Sequence, residues 1–447
     1  MSDTGVPGLP LWLQVPASLA LVLLLLQALR IAGSPSARYV VFACWARFML
    51  SSFHTYTFPH VIGDISGTAI GSATLFLLGA AIVPRALLLN RVIVSAYLVL
   101  IVVALSAAAN GSFVKAFEPM TKFGLLIVVA LHCFNALRRG DERRFTIALL
   151  LSFVPLLLFQ LFSVILDVPK STEGAGGESY IGGYYQEAAF SIALVGLLIV
   201  AAAARSIPGW VKAVIVPVAT AGIIVANYRT AILAMIPLII FYLLYGLSRL
   251  VARNLRSLIV AVAGSALVIV GGTALMTLDR FQDLRTIATA EKPLIKPPDE
   301  FTTQDRRLLS GRTQIWSDYY YKWKDDGTQV QHLVGFGPES WETYFNLYAH
   351  NTFVSFMFEY GVLGVAALCL LFAAGLLGAF GTGLHRWKLI AAHLSFITLN
   401  LATMPFWLVE GIIVYALLLG YTLYYGSLPV FSIKRPLYEP QLAPVRT

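Results

Sequence analysis

Long apolar runs that recur along the whole chain constrain its fold more than any other feature of the sequence. Runs such as residues 11–29 and 92–109 approach the length of about 20 residues that an α-helix needs to cross the hydrocarbon core of a bilayer. Only 12% of the 447 residues are charged, 58% are hydrophobic and the mean hydropathy is +0.76. These values are far from those of soluble globular domains, and they predict an all-α polytopic membrane protein.

The apolar runs, taken in order, predict about 12 or 13 transmembrane helices. The second run is interrupted by Arg47 and His54. The predicted helices begin near residues 11, 39, 66, 91, 121, 145, 186, 210, 229, 256, 351, 388 and 410.

The basic residues are concentrated in alternate connections between the predicted helices, and this distribution sets the orientation. Cytoplasmic loops of membrane proteins are enriched in Lys and Arg, so the basic connections are predicted to be cytoplasmic and the N-terminus to lie outside. Membrane topology thus accounts for the net charge of +9, and nucleic acid is not an expected partner. The basic connections contain Arg30 and Arg38; Arg85 and Arg91; Arg138, Arg139, Arg143 and Arg144; Arg205 and Lys212; Arg249, Arg253 and Arg256; and Arg386 and Lys388.

The pattern divides the chain into four predicted parts. Residues 1–276 form N-terminal transmembrane helices, residues 277–350 a large outer loop or cap, residues 351–426 C-terminal transmembrane helices, and residues 427–447 a cytoplasmic tail. The outer segment, roughly seventy residues long, exceeds an ordinary connector and is predicted to fold as a small helical cap. The three cysteines lie in apolar segments without metal-type spacing, so neither a disulfide framework nor a metal site is expected. No cofactor is expected.

Two arginines at the outer side are candidates for binding an anion. Arg229, which follows Tyr228, begins a predicted helix, and Arg312 lies in the cap. Arginine forks suit phosphate oxygens, so the two side chains would hold a diphosphate between them. The alternative is that Arg229 reaches the membrane interface as an ordinary amphipathic side chain and that Arg312 is a solvated surface charge.

His350 and Asn351 stand where the chain re-enters the membrane after the cap. A histidine there suits a general base because its pKa lies near the operating pH, although it is also compatible with a plain interfacial residue. Glu187, near the outer end of a predicted helix, and Glu359, about two turns below His350, are candidate supporting residues. Their alternative role is to pair with a neighbouring cation inside the membrane.

Four short motifs occur in an order that resembles the O-antigen ligase and Wzy-type polymerase superfamily over roughly residues 180–426. The family has twelve helices with both termini inside, so the resemblance implies one extra N-terminal helix here or one apolar run too many. The segment Gly182–Glu187 departs from the family pattern, which is richer in Asn and Pro. The motifs are Asn227, Tyr228, Arg229 and Thr230; Ser310, Gly311 and Arg312; Gly335, Phe336 and Gly337; and His350 and Asn351 followed after nine residues by Gly361 and Gly364.

The resemblance implies a metal-independent, inverting glycosyltransferase with a GT-C-like fold at the periplasmic face of the bacterial inner membrane. Its donor would be an undecaprenyl-diphosphate-linked saccharide, and Arg229 and Arg312 would bind the diphosphate. His350 would be the catalytic base, with Asn351, Glu187, Glu359 and Tyr228 as supporting residues. Membrane lipids surround such an enzyme, and a chain-length regulator is a further partner.

Two activities within the family remain open, and a third interpretation lies outside it. A polymerase for exopolysaccharide, capsule or O-antigen adds the growing chain to a new lipid-linked repeat, and this is the favoured interpretation. A ligase instead transfers the finished glycan to lipid A core. A polysaccharide transporter or flippase is the third interpretation, but the candidate polar residues gather at one face and not at the midplane, and no internal repeat is evident.

Overall fold

The computed structural model describes residues 8–62, 65–171, 177–252, 254–277, 293–303 and 305–428. Residues 278–292 of the predicted cap and the predicted tail from residue 429 onward lie outside the described residues.

The first half of the chain forms helices joined by short connections. Two small antiparallel strand pairs, β1 with β2 and β3 with β4, stand in these connections. The helices are α1 (Leu11–Ala32), α2 (Pro35–Ser52), α3 (His54–Thr57), α4 (Gly67–Ile82), α5 (Arg91–Asn110), α6 (Phe113–Arg139), α7 (Glu142–Leu151) and α8 (Val154–Ile165), with one 3-10 turn at Arg85–Leu87; the strands are β1 (His60–Ile62), β2 (Ile65–Ser66), β3 (Lys170–Ser171) and β4 (Glu178–Ser179).

Among its described residues, the second half contains four long helices before the cap, three long helices after it, and three shorter cap helices between them. Its helices are α9 (Glu187–Ala203), α10 (Gly209–Val225), α11 (Arg229–Leu250), α12 (Arg256–Thr277), α13 (Arg312–Asp326), α14 (Gln329–Val334), α15 (Trp341–Tyr344), α16 (Thr352–Phe380), α17 (Arg386–Ala402) and α18 (Val409–Ser427), with 3-10 turns at Pro298–Glu300, Asp305–Gly311, Gly383–His385 and Pro405–Trp407.

The predicted fold class is confirmed. Each of the thirteen predicted starts lies within a helix or at the residue directly before one. Seven helical spans of the described residues are long and apolar enough to cross a membrane, and four further apolar helices are shorter. The first helix, α1, packs against α2 and α7.

Three of the basic connections, at residues 138–144, 205–212 and 386–388, meet at one end of the bundle, which we call the basic end. There Lys388 and Lys212 donate hydrogen bonds to the carbonyls of Ala203 and Ala204 at the C-terminus of α9. Cations are stabilised at a helix C-terminus, where backbone carbonyls lack helical partners. The cap covers the opposite end, which we call the cap end.

A buried ion pair at the cap end joins α2 to α18. Arg47 Nε lies 2.9 Å from Glu410 Oε1, and Ser51 Oγ donates a 2.6 Å hydrogen bond to the same oxygen. Both charged side chains are almost fully buried. A charge in this position requires a paired partner, and with that partner the run interrupted by Arg47 folds as an 18-residue helix.

Candidate active site

Four helix termini meet at the cap end and bring the candidate residues together. They are the N-termini of α11, α13 and α16 and the C-terminus of α17. Hydrogen bonds join them in sequence: Arg312 of α13 to Thr230 of α11, and Thr230 to the carbonyl of Ala402 in α17. Asn351, directly before α16, donates to the carbonyl of Leu401 in α17. The site is therefore built by helices that are far apart in sequence.

The two candidate arginines lie on neighbouring helix starts. Arg229 is the first residue of α11, and Arg312 Nη1 lies 3.5 Å from the Oγ1 atom of the adjacent Thr230. Both arginines are half-buried. Neither guanidinium forms an ion pair with a carboxylate among the residues that the structure describes. Two partly desolvated cations without an anionic partner favour binding of an anion here.

Asn351 fixes the start of α16. Its Oδ1 accepts hydrogen bonds from the backbone N–H groups of Phe353 and Val354, at 2.9 and 3.2 Å. This is the N-cap arrangement that satisfies the free donors of a helix N-terminus. The next residue, Thr352, donates a 2.7 Å hydrogen bond to Asn400 Oδ1. Asn351 thus positions the backbone beside His350.

His350 lies in a constrained and half-buried position. Its φ of +49° is uncommon for a residue other than glycine, and the Tyr348 ring packs on its imidazole with a centroid distance of 4.0 Å. Burial, and next the positive charge of Arg312, lower the pKa of His350 to about 4. The imidazole is therefore neutral at physiological pH and has a lone pair for accepting a proton.

One face of α13 holds the segment that precedes His350. Trp316 Nε1 donates a 2.8 Å hydrogen bond to the carbonyl of Ala349, and the Tyr319 hydroxyl donates a 3.0 Å hydrogen bond to the carbonyl of Leu347. Arg312, Trp316 and Tyr319 follow the spacing i, i+4, i+7, which places them on the same helix face.

The turn at Gly335 docks on a break in α16. The backbone N–H groups of Phe336 and Gly337 donate to the carbonyls of Phe358 and Glu359, at 2.9 and 3.1 Å. The helix is interrupted at Gly361, whose φ of 63° and ψ of −160° are not helical. The glycine motifs of the sequence thus mark a contact between the cap and the re-entering helix.

Glu359 is fully buried and supports this contact. Its side chain accepts hydrogen bonds from Ser355 Oγ at 3.1 Å and from the backbone N–H of Glu339 at 3.3 Å. The carboxyl of Glu339 is hydrogen-bonded to Glu118 of α6. Burial, and next the charge of Glu118, raise the pKa of Glu339 to about 8. The described side-chain contacts of Glu359 are therefore with its own helix and with the segment that follows the Gly335 turn.

Glu187 pairs with a lysine, and Tyr228 packs into the core. Glu187 begins α9, and its Oε2 lies 3.3 Å from Lys170 Nζ, while its Oε1 is buried without a partner among the described residues. Tyr228 is the residue before α11 and packs against the main core. The supporting roles of Glu187, Glu359 and Tyr228 stay predictions.

The structure thus brings Arg229, Arg312, His350 and Asn351 to one place. Sequence reasoning missed the hydrogen-bonding role of Thr230, although it stood inside a motif, and the link from Glu339 to Glu118. No local signal marks that link, because more than two hundred positions separate the two glutamates.

Comparison with known families gives one match, which covers part of the chain. Residues 213–369 match a family model described as O-antigen ligase, Wzy_C. The matched range contains Arg229, Arg312, His350 and Asn351 but not Glu187. No curated protein matches the chain. The family indicates a glycosyltransferase-like membrane enzyme that acts on lipid-linked glycans. The match over residues 213–369 supports the resemblance to the O-antigen ligase and Wzy-type polymerase superfamily.

Proposed function

We propose that the protein is a glycosyltransferase that polymerises undecaprenyl-diphosphate-linked oligosaccharide repeats into surface polysaccharide at the periplasmic face of the bacterial inner membrane. One observation carries this proposal: Arg312 contacts the residue adjacent to Arg229, and both arginines meet at the helix junction that holds His350. The three residues provide cations for a diphosphate and a base for a hydroxyl group.

The diphosphate of the donor binds between Arg229 and Arg312. Two guanidinium groups match the several oxygens of a diphosphate through paired hydrogen bonds. The N-terminus of α11 adds its free backbone N–H groups to the same place. The polyprenyl chain then lies along the helices in the bilayer, while the saccharide extends toward the cap. In this scheme Arg229 and Arg312 neutralise the charge of the diphosphate, without a metal ion.

The chemical step is a direct displacement at the anomeric carbon of the donor. An acceptor hydroxyl oxygen attacks C1, the bond from C1 to the diphosphate oxygen breaks, and the hydroxyl proton passes to the free imidazole nitrogen of His350. The electron pair of the broken bond remains on the diphosphate, where Arg229 and Arg312 stabilise the added negative charge. A single displacement inverts the anomeric configuration.

Donor binding strengthens His350 as a base. In the free protein, burial and the charge of Arg312 both lower the pKa of His350. A diphosphate on Arg312 brings negative charge next to the imidazole and offsets the effect of the guanidinium. The pKa of His350 therefore rises toward the operating pH when the donor is bound, which improves general-base catalysis.

The acceptor distinguishes two activities. A polymerase uses a second lipid-linked repeat, whereas a ligase uses lipid A core. The description of the matching family as O-antigen ligase favours ligation as the second candidate function. The transporter interpretation has less support, because Arg229, Arg312 and His350 gather at the cap end of the bundle and not at its middle.

A gene deletion in the source bacterium tests the proposal. The strain is complemented with wild type, with His350→Ala and with His60→Ala, a matched control in which an exposed histidine of the β1 strand is removed. Lipid-linked glycans and lipopolysaccharide are separated on gels. Single repeats on the lipid carrier support polymerisation, and long chains on the carrier beside bare lipid A core support ligation. Intact polysaccharide in the His350→Ala strain contradicts both.

A further inference from the structure

We infer that Trp316 and Tyr319 are positioning residues of the proposed glycosyl transfer, and that they hold the backbone of residues 347–349 so that His350 faces the diphosphate site. The inference rests on the proposed function of His350 and adds two residues to it. Neither side chain needs to touch the substrate in this role, since each acts through a backbone carbonyl of the segment before His350.

The hydrogen bond from Trp316 reaches the residue adjacent to the base. The indole Nε1 lies 2.8 Å from the carbonyl oxygen of Ala349, and Ala349 is fully buried. A buried carbonyl needs a donor. The indole supplies it from the side of α13, so the peptide unit between Ala349 and His350 is fixed from that side.

Tyr319 holds the same segment two residues earlier. Its hydroxyl donates to the carbonyl of Leu347 at 3.0 Å, and its ring stacks on Phe345 with a centroid distance of 3.9 Å. Tyr319 is itself fully buried. Its ring is therefore a rigid support from which the hydroxyl reaches the segment.

These two contacts act on a backbone that has unfavourable geometry. His350 adopts φ of +49°, a conformation that costs energy in a residue with a side chain and persists only where the surroundings impose it. Asn351 holds the chain on the far side of His350 through its N-cap hydrogen bonds. Trp316 and Tyr319 provide the restraint on the near side.

The same helix face also carries Arg312. Since Arg312, Trp316 and Tyr319 belong to one α-helix, the distance from the diphosphate-binding guanidinium to the base is set by a rigid element and not by a loop. Small errors in the placement of a catalytic base have large effects on rate. Loss of either contact should therefore reduce kcat more than it changes the KM of the donor.

The test compares two tryptophans of α13. Trp316→Phe removes an indole N–H that donates to Ala349, whereas Trp323→Phe removes an indole N–H that is buried without a hydrogen-bond partner among the described residues. The full-length variants are purified in detergent. Their donor is the lipid-linked glycan extracted from the deletion strain, in which the substrate of the enzyme accumulates. Initial rates give kcat and KM, and thermal melting reports the folded state.

We expect Trp316→Phe to lower kcat about tenfold or more relative to Trp323→Phe, with a donor KM within about twofold and an equal melting temperature. Equal kcat values in the two variants overturn the inference. If Trp316→Phe melts at a lower temperature than Trp323→Phe, its kcat also reflects lost stability. The test then uses Tyr319→Phe, which removes only a hydroxyl. A wild-type kcat in Tyr319→Phe then overturns the inference.

The same assay separates this inference from the proposed function. If His350→Ala retains full activity, or if the wild-type protein transfers no glycan, the proposed function fails. If His350→Ala is inactive while Trp316→Phe and Trp323→Phe behave alike, the base assignment stands and only the positioning role fails.

Discussion

Gly335 and Gly361 bring two backbones into direct contact. A Cβ atom on Gly335 would lie 2.2 Å from the carbonyl carbon of Glu359, and one on Gly361 would lie 2.4 Å from the carbonyl carbon of Leu333. Both glycines have positive φ, 76° and 63°. The cap turn and the broken helix α16 therefore fit together only because neither position has a side chain.

Replacing Gly335 tests this fit. Gly335→Ala should separate the turn from α16 and destabilise the protein by about 4 kcal/mol or more, because the clash is with backbone and two hydrogen bonds are lost. Gly383→Ala is the matched control: its φ is +60°, but its Cβ would meet nothing within 4 Å, so it should cost only about 1–2 kcal/mol. Thermal melting in detergent compares them. Equal melting temperatures would contradict the packing argument.

The two arginines should affect donor turnover in a way that other cap arginines do not. Arg312→Lys keeps the charge but loses the planar fork, and we expect kcat/KM to fall about 10²-fold or more. Arg229→Lys should have a similar effect for the same reason. Arg306→Lys, in the exposed turn before α13, should leave the rate within about twofold. Rates are measured with extracted lipid-linked donor, and wild-type kinetics in Arg312→Lys would exclude diphosphate binding by its fork.

The pH dependence of the reaction should report on His350. The neutral imidazole is the active form, and the pKa of His350 in the free protein is lowered to about 4. The value of kcat/KM, which reports the free enzyme, should therefore stay level from pH 8 to about 5 and fall below that. The acid limb of kcat should lie at higher pH, because bound diphosphate raises the pKa of His350. If the acid limbs of the kcat and kcat/KM profiles lie at the same pH, bound diphosphate does not raise the pKa of His350.

Glu339 should make the protein less stable as the pH rises. Its pKa is raised to about 8, so the folded state holds a proton that the unfolded state releases above about pH 4.5. The contribution of Glu339 to the free energy of unfolding is fully present below about pH 4.5, and it is lost as the pH rises to about 8. The glutamine in Glu339→Gln cannot ionise. The melting temperature of this variant minus that of wild type should therefore be about 2 °C or more larger at pH 8 than at pH 5.

Glu342→Gln serves as the control for this measurement. Glu342 lies three residues further on, in α15, and is exposed beside Lys115 at 3.4 Å. Its charge is a minor cause of the raised pKa of Glu339, so its replacement should change the pH dependence of melting far less than Glu339→Gln does. A Glu339→Gln variant with the same pH dependence as wild type would show that the carboxyl of Glu339 is already ionised at neutral pH.

The helices were predictable because each one has a local signal in the sequence. Apolar runs and their basic flanks place the helices, and three of the basic connections lie together at the end of the bundle away from the cap. Four of the seven candidate site residues, Arg229, Arg312, His350 and Asn351, also come together, because each stands at a helix start on the same side.

The pairings between distant segments were not predictable. The ion pair from Arg47 to Glu410 links positions 363 residues apart, and nothing near either residue indicates the other. Glu359 was expected near the site by its distance from His350 along the helix, but the break at Gly361 and the docked turn give it partners in the cap. Such contacts depend on how helices pack, and a single sequence records this only indirectly.

The central position of α18 has a consequence for how the protein is made. This helix packs against α6 and α9, and 94% of its apolar span is buried inside the protein, so it scarcely meets lipid. A ribosome delivers α18 after α1 to α17 have been synthesised. The earlier helices therefore cannot close into their final arrangement as they enter the membrane: the space at the centre of the bundle has to remain accessible from the side until the helix that fills it arrives.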